Sequence, residues 1–228
     1  MQGFDRLDRR LVLSGLAATL LTAPLTSPAS ARGFGLGGIL GRASDAALDR
    51  LALPGAFYND EDIRIGLPLI GGGGGLLSGV LGATRKLKLI DGLTRRLNDA
   101  AGAAARVAKP IFRSAIDGLS LSDLPGIVSR NDGATQYLRE SAGDALQLKL
   151  RPLIDSGLGD AGAYRELDKL NRKHSYLGLA GINRDGLGKH VTGQALRGIF
   201  TYIGNEEGKL RADPLCKAVG LLKGVLGD

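Results

Sequence analysis

The residues of this 228-residue chain best placed for chemistry are the adjacent carboxylates Glu206 and Glu207. Two acids can divide general acid and general base work when their surroundings separate their pKa values. Neighbouring positions on a helix point about 100° apart, however, so these two do not face each other. Glu207 stands four residues before Arg211, the order of a stabilising helical ion pair, which favours a structural role. Asp213 is the other acid a hydrolase could draw on here. His174 and His190 are the only histidines and lie in different segments, neither with a partner at metal-ligand spacing. Zinc needs three or four ligands and a nucleophilic triad needs a hydroxyl beside a histidine, so neither a metal nor a cofactor is expected. Asp60, Glu61 and Asp62 lack the D-x-D-x-D-G spacing and distal glutamate of a calcium loop.

Two glycine strings mimic phosphate-binding loops. Gly33 to Gly38 fits G-x-G-x-x-G but no strand precedes it, and Gly71 to Gly75 lacks the Gly-Lys-Ser/Thr ending. The first reads as an N-terminal tail and the second as a connector. A subtler constellation is Thr135, Gln136 and Tyr137, which offer a hydroxyl, an amide and a phenol at a helix start. With Asn98, Arg211, Glu206 and Glu207 they could form a polar pocket between helices, since ligand sites combine apolar walls with a few polar groups. The competing reading is that they satisfy buried groups between helices.

The elements that must position these residues are helices. The chain has no Trp and only 4% aromatic residues, and apolar and polar residues seldom alternate, so strands have little support. The longest pattern runs from Ile90 to Leu119, with apolar residues at Ile90, Leu93, Leu97, Ala100, Ala101, Ala104, Val107, Ala108, Ile111, Phe112, Ala115, Ile116 and Leu119. That spacing makes one stripe on a helix. Pro110 removes an N–H and crowds the preceding turn, so a kink or break is expected near 106–109. Shorter helices are expected from Ser44, as cap, to about Leu51, from Ser120 to Val128, from Gly133 to about Leu150 behind Asp132, and from Ala161 to Lys173. A second strong helix carries Val191 to Ala212, and Asp213-Pro214 opens a last one reaching about Leu226. Residues 56–68 read as an extended loop, 76–89 as one or two turns and 177–188 as a loop. The expectation is all-α, a compact bundle of seven or eight helices centred on the two strongest.

The N-terminus has a short charged segment with Arg6, Arg9 and Arg10, an apolar run from Leu11 to Leu21, and small residues ending Ala29-Ser30-Ala31. This is the layout of an export signal cleaved near Ala31, and Arg9-Arg10 before Leu11 also suits the twin-arginine type. No cysteine follows, so a lipid anchor is not supported. Removing residues 1–31 leaves 197 residues and lowers the net charge from +7 to +6, with 32–43 read as a flexible glycine-rich tail and 44–228 as one helical domain. A periplasmic or secreted location makes nucleic acid an improbable partner, and the basic residues are dispersed rather than clustered. Cys216, alone, excludes an internal disulfide and reads as a small buried hydrophobe.

Several strings together resemble a bacterial exported family known as domain of unknown function 4197. They are Gly55 with Phe57-Tyr58-Asn59 and Ile63-Arg64-Ile65-Gly66-Leu67-Pro68, then Asn98-Asp99-Ala100-Ala101 with Lys109-Pro110-Ile111-Phe112 and Ala115-Ile116. Further on come Ala134-Thr135-Gln136-Tyr137 and Ala195-Leu196-Arg197-Gly198-Ile199-Phe200 with Glu206-Glu207, Leu210-Arg211 and Asp213-Pro214. The resemblance implies a mostly helical exported domain and carries no activity or ligand. The chain departs from the family's pattern at Gly102, where an acid is usual, at His190, where an aromatic is common, and at Gly71–Gly75. The leading expectation is a non-enzymatic domain of the bacterial envelope that binds a partner protein or an anionic or apolar ligand. A periplasmic lipid carrier and a hydrolase using Glu206, Glu207 or Asp213 are the alternatives.

Overall fold

The computed structural model describes residues 35–68, 83–119, 130–173 and 182–213, with backbone alone for 83–90 and 173. Among them are seven helices and no strand. They are α1 Leu36–Leu51, α2 Ala56–Asn59, α3 Ala83–Val107, α4 Lys109–Asp117, α5 Gly133–Asp160, α6 Ala163–Lys173 and α7 Arg184–Ala212. Of the turns expected over 76–89, residues 76–82 lie outside the described residues and 83–89 are the first turns of α3, which so begins before Ile90. The short helix at 120–128 and the last helix beyond Asp213 also lie outside the described residues.

The first helix corrects the sequence reading. It begins at Leu36, inside the stretch read as a flexible tail, and Ser44 is a buried mid-helix residue rather than a cap. Glycine content argued for flexibility, but Leu40, Ala43, Ala47, Leu48 and Leu51 form a stripe with no solvent exposure. Burying each leucine contributes roughly 1.5–3 kcal/mol, which outweighs the 0.5–1 kcal/mol cost of a helical glycine. Gly41 also has a steric use: a Cβ there would meet Arg113 Nη1 at 2.4 Å, where that side chain crosses α1 to reach Asp45.

The long central pattern does break at Pro110. α3 stops at Val107, Ala108 turns with φ −82° and ψ −15°, and Pro110 sits in the first turn of α4 where its missing N–H costs nothing. The stripe slips at the break: Ala105 and Ala108 are buried, whereas Val107, expected in the core, is 53% exposed. α5, by contrast, runs unbroken through Pro152 to Asp160, ten residues past its expected end. The proline deprives the carbonyl of Leu148 of its donor, and Leu148 is 76% exposed, so water can serve that carbonyl instead. Leu146, two residues earlier, is buried. α7 likewise starts earlier than expected, at Arg184, because the Asn183 side chain accepts from Gly186 N–H at 2.8 Å and caps it.

The two strongest helices are not the centre as a pair. α7 packs mainly on α1 and α5, and α3 mainly on α5, so α5 is the hub that joins them. Small residues permit this: a Cβ on Gly157 of α5 would lie 2.9 Å from the Ala100 carbonyl of α3. Phe112 of α4 and Phe200 of α7 close one end of the core edge to face, 6.3 Å between ring centres. The segment Asp60–Pro68, expected as extended loop, follows a single turn of helix and crosses α3.

Candidate functional site

The start of α5 presents backbone N–H groups with no partner inside the helix, a place that favours negative charge. Asp132 occupies the cap position but does not cap. Its carboxylate accepts instead from Gln136 Nε2 at 2.8 Å and lies 3.5 Å from Arg130. The Gln136 hydrogen bond, with the Arg130 charge, holds Asp132 below its ordinary range against the effect of burial. The cap comes from α7. Glu207 Oε1 accepts from Ala134 N–H at 3.0 Å, and its Oε2 accepts from Thr135 N–H at 2.7 Å and Thr135 Oγ1 at 2.5 Å. Arg211 donates Nε–H to Oε1 at 2.8 Å, and its Nη2 lies 2.6 Å from the same oxygen as an ion-pair contact without hydrogen-bond alignment.

Glu207 is thus a fully buried carboxylate with four hydrogen-bond donors. Burying such a charge is tolerable only with this degree of compensation. Glu206, one residue on, faces α1: Arg50 Nη1 and Lys209 Nζ each donate to its Oε1 at 2.8 Å. The Lys209 hydrogen bond, then that of Arg50, holds it below the usual glutamate range while burial opposes them. Asp213 ends α7 in an exposed position. Glu206 and Glu207 thus face different neighbours, Glu206 towards Arg50 and Lys209 and Glu207 towards the start of α5 and Arg211, and do not face each other as an acid–base pair.

Asn98 is also committed. Its Oδ1 accepts from Ile65 N–H and its Nδ2 donates to Ile65 O, both at 2.9 Å, with a second donation to Thr94 O at 2.8 Å. All its amide hydrogens are used, so it is a clamp on the crossing segment. His190 supports that segment one residue on, with Nε2 2.9 Å from Gly66 O. Of the seven residues proposed for a polar pocket, the fold therefore unites Thr135, Glu207 and Arg211 in a sealed cluster. Tyr137 packs half-buried against the core, and Asn98 and Glu206 lie elsewhere.

Gln136 faces open space, and Asn98 borders a smaller opening of about 170 Å³ beside Leu53 and Arg106. Beside the sealed cluster, α5 and α7 diverge around a groove of about 640 Å³. Asn131, Asp132, Gln136 and Arg139 form one wall, Thr201, Asn205 and Lys209 the other, and Phe200 with Gly204 and Gly208 the floor. Arg139 lies over the Phe200 ring, 5.3 Å from its centre. No local signal in the sequence pointed to Arg139, Asn131 or Asn205. A second opening, walled by Leu67, Leu93, Leu167, Leu170 and Leu187, is apolar and holds only about 20 Å³. Among the described residues, no group of three His, Cys, Asp or Glu side chains is placed to hold a metal ion. No helix among them is long and apolar enough to cross a membrane.

The family described as "Protein of unknown function (DUF4197)" matches residues 29–227. The chain belongs to this family. No curated protein and no solved structure matches it. The strings by which the family is legible meet in space: Ile63–Pro68 is the segment clamped by Asn98, and Ala134-Thr135 is the helix start capped by Glu207 and Arg211. These particular family strings therefore build the fold's polar joints.

Proposed function

We propose that this DUF4197 chain is an exported helical domain of the bacterial envelope that works by binding, through the groove between α5 and α7. The observation that carries the reading is the groove itself, whose volume of about 640 Å³ lies within the range of ligand sites. It combines an aromatic floor with polar walls, whereas Glu206 and Glu207 are held in ion pairs with Lys209 and Arg211. The charged, apolar and small-residue sequence of residues 1–31 supports export. A carrier of acyl chains gains no support from the apolar opening near Leu93, whose volume of about 20 Å³ is far too small for an acyl chain.

The test is native mass spectrometry of the chain recovered from the periplasm after expression of the full sequence, with and without blocking of the groove by Gly204→Gln. The proposal expects periplasmic recovery and an adduct that the Gly204→Gln chain loses. Retention in the cytoplasm, or the same adduct on both chains, would contradict it.

A further inference from the structure

We infer that the occupant of this groove is a short acidic peptide segment; the inference rests on the groove being the binding site. Three observations point the same way. Five surface arginines are matched to carboxylates: Arg50 to Glu206, Arg95 to Asp91, Arg113 to Asp45, Arg151 to Asp155 and Arg184 to Asp168. Arg139, like the exposed Arg165 and Arg197, has no carboxylate partner among the described residues, and of these three it alone lines the groove. Among the described residues its one contact is the face of Phe200, which leaves the guanidinium hydrogens without an acceptor and holds the group at the groove's floor. A planar, pre-oriented guanidinium is suited to a carboxylate, which it can grip with two hydrogen bonds.

The second observation is charge. The groove's only carboxylate is Asp132, already engaged by Gln136 and faced by Arg130, and Lys209 is paired to Glu206, which does not line the groove, so Arg139 is the lining charge left uncompensated. The field in the groove therefore favours an anion. The third concerns the amides. Asn131 and Asn205 stand on opposite walls and make no side-chain hydrogen bond among the described residues. A carboxamide both donates and accepts, which is what a peptide group requires. Asn98 shows the pairing inside this same molecule, holding the N–H and the carbonyl of Ile65 at 2.9 Å each. One oriented guanidinium with two amides reads a peptide bearing an acid; a phosphate polymer or headgroup would call for several clustered cations.

The experiment titrates the purified full chain with fluorescent eight-residue peptides, one carrying glutamates and one with the same residues as glutamines, and with vesicles containing phosphatidylglycerol. The glutamate peptide is expected to bind at least about tenfold tighter than its glutamine counterpart, the scale of a charge-assisted hydrogen-bonded pair. Arg139→Gln should remove that preference, and Asn205→Ala should weaken both peptides several-fold, with unchanged thermal midpoints. Equal binding of the two peptides, lost in Asn205→Ala, would overturn the acidic preference yet leave the groove as the site. Vesicle binding without peptide binding would overturn the inference. So would quantitative disulfide formation between Asn205→Cys and Cys216 in the full chain, which would place the chain's own C-terminal segment in the groove. No response from any probe, together with no adduct on the periplasmic chain, would remove both the inference and the binding site it rests on.

Discussion

The sealed cluster at the start of α5 and the groove beside it are built from the same two helices, within a turn of each other, and use polar groups in opposite ways. In the cluster, Glu207 is fully buried and its donors are supplied by Ala134, Thr135 and Arg211. In the groove, Arg139, Asn131 and Asn205 meet no side-chain hydrogen-bond partner among the described residues. The difference teaches where each kind of consequence should fall. Removing a matched buried group costs stability, because its partners are stranded. Removing an unmatched exposed group costs almost none, so its loss is felt only by what binds there.

The comparison breaks first at Glu207. Glu207→Ala leaves Arg211 without its counter-charge and the Ala134 and Thr135 N–H groups without an acceptor, and should cost about 3–5 kcal/mol in urea unfolding. A loss under about 1 kcal/mol would show that the cluster does not hold the two helices. Asn98→Ala comes next. It strands both backbone groups of Ile65 and should cost about 2–3 kcal/mol, with occupancy of the groove unchanged in whatever fraction remains folded. Unchanged stability with lost binding would make Asn98 part of a site instead.

A smaller effect concerns acid. Glu206 and Asp132 are held below their ordinary values of 4.5 and 3.8, so the folded state binds protons less readily than the unfolded one. Their stabilisation is present above those ordinary values and is lost as pH falls through the lowered ones. Thermal midpoints should therefore hold from pH 6 to about pH 4.5 and drop below it, and Glu206→Gln should flatten the drop. An equally steep drop in that variant would assign the acid sensitivity elsewhere. The smallest stability effect is expected at Arg139, where Arg139→Gln should change unfolding free energy by less than about 0.5 kcal/mol. A larger loss would mean that its stacking on Phe200 holds the fold rather than a ligand.

What was legible in the sequence follows from range. The stripe from Leu93 to Ile116 and the break at Pro110 depend on neighbours three and four residues away, and both could be read directly. The helical start at Leu36 was hidden because Gly37, Gly38 and Gly41 suggested flexibility, while the burial that overrides them comes from α7 and α4. The Glu207–Arg211 pair was visible as a four-residue spacing. Its use as a cap was not, since Thr135 lies 72 residues away and the local sequence nominated Asp132. Of the polar residues grouped in advance, Thr135, Glu207 and Arg211 did belong together, in a joint between helices. The groove escaped notice because exposed Arg and Asn residues carry no periodic signal, and only the fold brings Arg139 and Asn205 to the lining of one opening.

The most direct measurement is an NMR titration of the full chain, following side-chain amide signals while the glutamate peptide is added. Asn131, Asn205 and the Nε–H of Arg139 should shift and saturate together, and the Asn98 amide, sealed against Ile65, should not move. Shifts at Asn98 with the groove signals still would contradict the division between the joints that hold this fold and the opening that serves it.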